Sequence, residues 1–320
     1  MRLATAPLFQ RLLTAMPFSE AELALLVLTA PTRYKEHHIQ KRGGRGQRLI
    51  SQPTAELKLV QRWLVERELH HLPVDQHATA YRPNKSIRNH VEPHRNSHFL
   101  LKLDFKDFFP SLTDQALRHR LAHGAKYSGQ EVDILVQLLF RRRRGDCTYR
   151  LSIGAPSSPF ISNYLMVEFD QRLATYCETN SLRYTRYADD IAISSKSPNA
   201  LDPAKNFVTN LISELPHLSL ALNPEKTVNV SKKYRRELVG LVISNEGKIS
   251  LGRNEKHRLR AAVHAFIQGR LSAVECMTLR GQLAFAMSVE REFVQNLCAR
   301  YGLGSPSEIV AGNITGSPMK

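Results

Sequence analysis

Leu182-Arg183-Tyr184-Thr185-Arg186-Tyr187-Ala188-Asp189-Asp190-Ile191-Ala192-Ile193-Ser194 is the stretch on which the reading of this chain turns. Leu182 to Tyr187 and Ile191 to Ser194 are two β-rich arms. Joined through Ala188-Asp189-Asp190, they have the form of a tight hairpin with acids at its tip. An arbitrary Asp-Asp pair is most often a solvated turn, so the meaning of this one depends on what surrounds it.

The nearest relevant surroundings lie upstream. Phe99 to Phe105, FLLKLDF, is apolar except for Lys102 and Asp104, and predicts a buried strand that delivers one carboxylate near its end. A buried carboxylate needs a shifted pKa, a cationic partner or a metal, and Lys102, on the same strand face, is the nearby cation. Nucleotidyl transfer commonly uses two divalent cations about 3.5 to 4 Å apart, which requires acids to converge. One acid at a strand end and two on an adjacent hairpin tip meet that requirement.

The remaining elements follow from local signals. Ser19 and Glu22 form a capping box ahead of the apolar run Leu23 to Ala30, which predicts a buried helix. Tyr34 to Gln40 and Arg48 to Ser51 predict a hairpin across the Gly43, Gly44, Gly46 turn, stopped by Pro53, followed by a helix carrying Leu57, Val60, Leu64 and Leu69. A helix from about Thr113 to His123 is closed by Gly124. Arg141 to Arg144 separate an apolar helix from a Thr-Tyr-Arg-Leu strand. Ser158-Pro159 opens a long helix with Ile161, Leu165, Phe169 and Leu173 as its core stripe. After Val242-Ile243 the pattern is helical to the end, with a second capping box at Ser272 and Glu275; only the last fifteen or so residues look unfolded.

The chain has 320 residues without a low-complexity linker, which suggests two or three packed subdomains. Hydrophobic residues make up 42% and are spread along it, as in a globular protein. Lys and Arg exceed Asp and Glu by 16, a surplus that attracts a polyanion. Charge alone does not separate a polymerase from a passive nucleic-acid binder or a lipid-facing protein. The longest apolar run is well short of the ~20 residues of a membrane span, and no secretory signal pattern is present. Cys147, Cys177, Cys276 and Cys298 form no CxxC pair, which argues against zinc and for reduced thiols in the cytoplasm.

Tyr187-Ala188-Asp189-Asp190, set between apolar strands, resembles the YxDD signature of reverse transcriptases. Asp104-Phe105-Lys106-Asp107-Phe108-Phe109 is similar to the first catalytic block of that family. Gly154-Ala155-Pro156-Ser157-Ser158-Pro159 looks like its template-and-nucleotide block, with Ile153 in place of the usual Gln. The resemblance runs from about Tyr34 to Arg300 and implies an α+β right-hand polymerase. Residues 1–98 would form fingers with N-terminal helices, 99–244 a palm with a fingers insertion near 112–153, and 245–320 a helical, RNA-binding thumb.

It further implies that Asp104, Asp189 and Asp190 are the catalytic ligands of two Mg²⁺ ions, with Mn²⁺ able to serve. Around the incoming nucleotide it places Lys41, Arg48, Phe105, Phe109, Gly154, Ala155 and Lys226. Phe109 matches the steric gate against a ribose 2′-OH, whereas Phe105 and Phe108 also fit as core filler. Arg42 and Arg45 rival Lys41 and Arg48 for the triphosphate. Lys226, in Asn223-Pro224-Glu225-Lys226-Thr227, is a possible proton donor to pyrophosphate or an ordinary surface lysine. Gly154 and Ala155 would let the backbone approach the base pair closely. Arg141 and Arg142, and Arg253, Lys256, His257, Arg258 and Arg260 of the thumb, are candidates for RNA phosphates, the plain alternative being solvated basic surface.

Within the family the chain is most similar to bacterial retron reverse transcriptases. It is short, it carries the Ala-Pro-Ser-Ser-Pro form of the middle block, and His90-Val91-Glu92-Pro93-His94 stands where retrons usually have Asn-Ala-x-x-His. Only His94 of that pattern clearly matches, and it is carried over as an RNA contact, with a satisfied histidine as the alternative. Leu238-Val239-Gly240 keeps only the glycine of the retron Val-Thr-Gly block. The resemblance implies dNTP substrates and a cognate noncoding RNA as template and primer, extended from a 2′-OH into branched RNA-DNA. It also implies an effector protein in antiphage defence, and no membrane. The competing readings are an intron-type or CRISPR-associated reverse transcriptase and a non-catalytic RNA-binding scaffold.

Overall fold

The structure is a computed structural model that describes residues 3–40, 46–122 and 127–309. Lys41, Arg42, the Gly43-Gly44 turn, Arg45, the Gly124 helix stop and the chain end at 310–320 lie outside the described residues.

Strands β1 (Tyr34–Gln40) and β2 (Gln47–Pro53) pair as an antiparallel hairpin. β2 stops at Pro53, which is its last residue, a position an edge strand tolerates. The central sheet contains β3 (Phe99–Asp104), β4 (Arg183–Tyr187), β5 (Asp190–Ser195) and β6 (Val228–Ser231), all antiparallel in the order β4-β5-β3-β6. A third sheet joins β7 (Arg236–Leu238), β8 (Leu241–Ile243) and β9 (Ile249–Ser250). The two-residue β9 carried no sequence signal long enough to separate it from the helices that follow.

Successive side chains of a strand point to opposite faces, and in the central sheet each face enters a different core. Leu101, Leu103, Ile191 and Ile193 pack with Phe169, Leu173 and Leu211 of the covering helices. Leu100 and Ala192 pack with Leu241, Ile243, Leu259 and Val263 of the C-terminal portion. Covering on both faces explains why β3 and β5 read as almost continuous apolar runs.

The helical stripe Ile161, Leu165, Phe169 and Leu173 is wholly buried, but the long helix is two helices, Ser158–Leu165 and Val167–Thr179, broken at Met166. The predicted helix after Pro53 runs as Ala55–Trp63 and widens into a π-turn over Leu64–Glu68. Glu20–Thr29 has its capping box, yet Leu25 and Leu28 are 57% and 58% exposed, so the run buries one face rather than the whole helix. Thr148 to Leu151 is no strand; Arg150 only bridges Thr113 and Arg141. Among the described residues the C-terminal part has the α-helices Arg253–Ile267, Ala273–Val289 and Arg291–Arg300, the second opened by the Ser272/Glu275 box. No single helix among the described residues is long and apolar enough to cross a membrane.

Candidate active site

The β4–β5 hairpin turns on Ala188 and Asp189, with Tyr187 opposite Asp190. Ala188 has φ +56°, a left-handed value at the first central residue where hairpin turns of this kind usually place glycine. A side chain there costs roughly 1 to 2 kcal/mol. The surrounding bonds hold it: wholly buried Arg186 donates Nη1 to the Ala188 carbonyl at 3.0 Å, and Nε and Nη2 to the two carboxylate oxygens of buried Asp170 at 2.8 and 2.6 Å. Tyr184 donates its hydroxyl to the same carboxylate at 2.6 Å.

The register puts Asp104 opposite Asp190, on one face of the sheet, and the backbone N–H of Phe105 donates to the Asp189 carbonyl at 3.2 Å. The three acids therefore converge. Burial first, then the charges of neighbouring acids, raises the carboxyls of Asp189 and Asp190, the latter to about 6. Carboxylates held so close favour either a proton or a cation between them. Lys226 supplies one cation, donating Nζ to both Asp104 oxygens at 2.9 Å. Burial works against the lysine charge, but the bond and charge of Asp104 outweigh it and raise its pKa. The all-oxygen donor set with a cation already drawn to it fits divalent Mg²⁺ or Mn²⁺ better than a softer ion.

Lys102 is not the partner of Asp104, as the strand alone suggested; its charge favours ionisation of Asp190 instead, across the register. Lys226 is 122 residues away from Asp104 in sequence, so spacing could not find the contact. Arg48 is exposed on β2, and its charge is among the lesser influences on Asp189, opposing the rise of its pKa. Phe109 is half-buried, 6.2 Å from the ring of Tyr81, a residue only partly sheltered, whose hydroxyl is raised by loss of solvent and then by the charge of Asp189. Tyr81, with φ +59°, was missed; its only signal was an aromatic in an Arg, Pro and Asn-rich loop.

Other expectations are corrected. Phe105 is buried against Phe108 and Phe169, so its ring fills the core and only its backbone meets the site. Gly154, φ +118°, approaches Ser51, Gln52 and Ile50 of β2, where a Cβ would sit 3.1 to 3.2 Å from each. The small residue at this position thus joins the hairpin to the site, and Ala155 beside it is buried. His94 is wholly buried rather than RNA-facing: Nδ1 lies 2.7 Å from Ser194 Oγ and Nε2 2.8 Å from Thr185 Oγ1, and burial pushes its pKa down to about 3. It links β4 to β5, on the sheet face that also carries Asp190 farther along the strand. Arg141 is half-buried and tied to Glu36 and Ser51, so it anchors β1 and β2 rather than gripping phosphate. Arg142 lies over the Tyr149 ring at 4.9 Å. Arg253, His257, Arg258 and Arg260 are exposed, although Arg258 pairs with Glu255 at 2.6 Å and Arg260 lies over the Phe293 ring at 5.2 Å; Lys256 is paired with Glu290 at 2.6 Å.

The family comparison agrees with this geometry. Residues 39–243 match the family described as Reverse transcriptase (RNA-dependent DNA polymerase). The chain is 36% identical over 281 residues to the Retron Ec83 reverse transcriptase of Escherichia coli, which covers 87% of this chain and 90% of that one. The chain belongs to the retron reverse transcriptases. The Retron Ec86 reverse transcriptase of the same species is 33% identical over 298 residues, covering 90% and 88% of the two chains. Among solved structures, apo telomerase from Candida Tropicalis superimposes with a TM-score of 0.52 at 12% identity, over 86% of this chain and 59% of that one. That likeness speaks for the fold alone: fingers, palm and thumb of a right-hand polymerase. This retron reverse transcriptase is accordingly an RNA-directed DNA polymerase, in a family that generally uses divalent metal ions.

Proposed function

We propose that this enzyme copies a structured noncoding RNA of its own system, starting from a 2′-OH of that RNA and so making branched RNA-DNA, in defence against phage together with an effector protein. The similarity to retron enzymes along nearly the whole chain supports the RNA-templated part. The observation that carries the chemistry is the convergence of Asp104, Asp189 and Asp190 with Lys226 bonded to the first. Two Mg²⁺ ions on those carboxylates, or Mn²⁺ in their place, would activate the attacking hydroxyl and neutralise the transition-state phosphate.

The protein's own groups then divide the remaining work. Arg48 takes the triphosphate of the dNTP, and Phe109 with Tyr81 borders the sugar. The attacking hydroxyl releases its proton to solvent as its oxygen bonds to the α-phosphorus, the bond from that phosphorus to the bridging oxygen breaks, and pyrophosphate leaves with a proton from Lys226. Exposed Arg253, His257, Arg258 and Arg260 suit an RNA backbone on the thumb. We assign fingers to 1–98 and the insertion near 112–153, palm to the rest of 99–244, and thumb to 245–320.

Expression with the upstream genomic segment, followed by nucleic-acid extraction, tests this. A small DNA still joined to RNA, lost in Asp189→Asn, Asp190→Asn, is the expected result. If the purified protein extends a primer on RNA but no branched molecule forms, the priming assignment falls and the polymerase remains.

A further inference from the structure

Outside the catalytic hairpin, three side chains from separate elements meet. His119 belongs to the helix Asp114–Ala122, Glu168 to the first turn of Val167–Thr179, and His217 to the short turn Pro216–Leu218. The two imidazoles stack with ring centroids 3.9 Å apart and planes 17° from parallel. One nitrogen from each ring and one carboxylate oxygen of Glu168 lie within 4.8 Å of one another. His119 is exposed, and the other two are half-buried, so solvent reaches the cluster.

The frame beneath is firm. Leu117, Leu121 and Leu218 are buried beside the three positions, and Ser219, φ +52°, closes the turn that carries His217. Arg120, next to His119, lies over the Tyr164 ring at 5.3 Å. The segments are about fifty residues apart in sequence, so their meeting is a product of the tertiary fold.

We propose that His119, Glu168 and His217 form a binding site for a divalent transition-metal ion of the Zn²⁺ class. Two imidazole nitrogens and one carboxylate oxygen are a common donor set for that ion, whereas Mg²⁺ takes oxygen donors. Bonds of about 2.0 to 2.1 Å require the donor atoms to draw together by an ångström or so and the rings to splay. Exposed His119 is the side chain with room for that movement. Three protein donors leave one position for water or a donor from a bound partner. The cysteines, which argued against zinc in the sequence, take no part in this site. Because the donors come together only in the folded chain, the ion stabilises the folded state and ties the helix Asp114–Ala122 to Val167–Thr179 and to the turn at His217.

The test uses the full chain with Asp189→Asn and Asp190→Asn in every sample, so that ions at the catalytic acids do not contribute. Zn²⁺ is titrated calorimetrically into this parent and into His119→Ala and Glu168→Gln versions, with thermal melts in Zn²⁺ and in Mg²⁺. The expected result is one Zn²⁺ per chain in the parent, a melting temperature raised by Zn²⁺ and not by Mg²⁺, and affinity at least about tenfold weaker in both variants. Bound Co²⁺ should show the intense visible bands of a low-coordinate site in the parent only. Melts without metal check that the variants fold, His119 being exposed. Equal Zn²⁺ affinity and equal melting response in parent and variants would overturn the site, as would the absence of a stoichiometric ion in the parent.

Discussion

The guanidinium of Arg186 and the carboxylate of Asp170, both without solvent exposure, face each other through two parallel hydrogen bonds, and the third arm of Arg186 reaches the carbonyl of Ala188. A charge pair in the core is strongly destabilising when one member is removed, by about 3 to 5 kcal/mol. This one also fixes the turn that aims Asp189 and Asp190. Asp170→Asn should therefore cost about 3 kcal/mol in denaturant unfolding, and Arg186→Lys, which keeps the charge but loses the fork, should lose synthesis as well. Unchanged unfolding in Asp170→Asn would show that the pair does not hold the hairpin.

Lys226 occupies Asp104 as a competing cation. Its side chain is 50% exposed, so its Coulomb effect is strongly screened, to about 1 kcal/mol. Lys226→Gln should lower the Mg²⁺ concentration for half-maximal activity roughly fivefold, while the loss of a proton donor lowers kcat about a hundredfold. A metal titration of primer extension reads both, and an unaltered kcat rejects the donor role.

The raised Asp190 pKa fixes a sign. Its folded value of about 6 lies above the ordinary carboxylate value, so the folded protein binds the extra proton between about pH 4 and 6. Metal-free stability then falls as pH rises through that window, and Asp190→Asn removes the penalty. Without divalent ions, Asp190→Asn should be on the order of 2 kcal/mol more stable than the parent at pH 7.5, with the gain vanishing near pH 4. Thermal melts in chelator across that range check it; a constant difference would exclude Asp190 as the titrating group.

Phe109 stands half-buried beside Tyr81, on whose hydroxyl the charge of Asp189 acts. Phe109→Ala should raise ribonucleotide incorporation relative to dNTPs by roughly ten- to a hundredfold, because the ring fills a space rather than making a bond. Single-nucleotide extension with each sugar measures this, and unchanged discrimination removes the gate.

Much of the site was legible in the sequence because its signals are local. A hairpin tip with two acids, an apolar strand ending in Asp104 and a Ser-Pro helix start are each written within a few residues, and alternation and capping make them strand and helix before any packing is known. The same holds for the basic surplus that favours a nucleic-acid partner. The partners of those acids were not legible. Arg186 reads as one more basic residue, His94 as a surface contact, and Lys226 as an exposed lysine. Only the packed chain shows that the first holds the turn, the second braces the strands from within, and the third bonds Asp104. Burial and charge pairing depend on which distant segments share a core, and a linear pattern records a residue's kind without recording what lies against it.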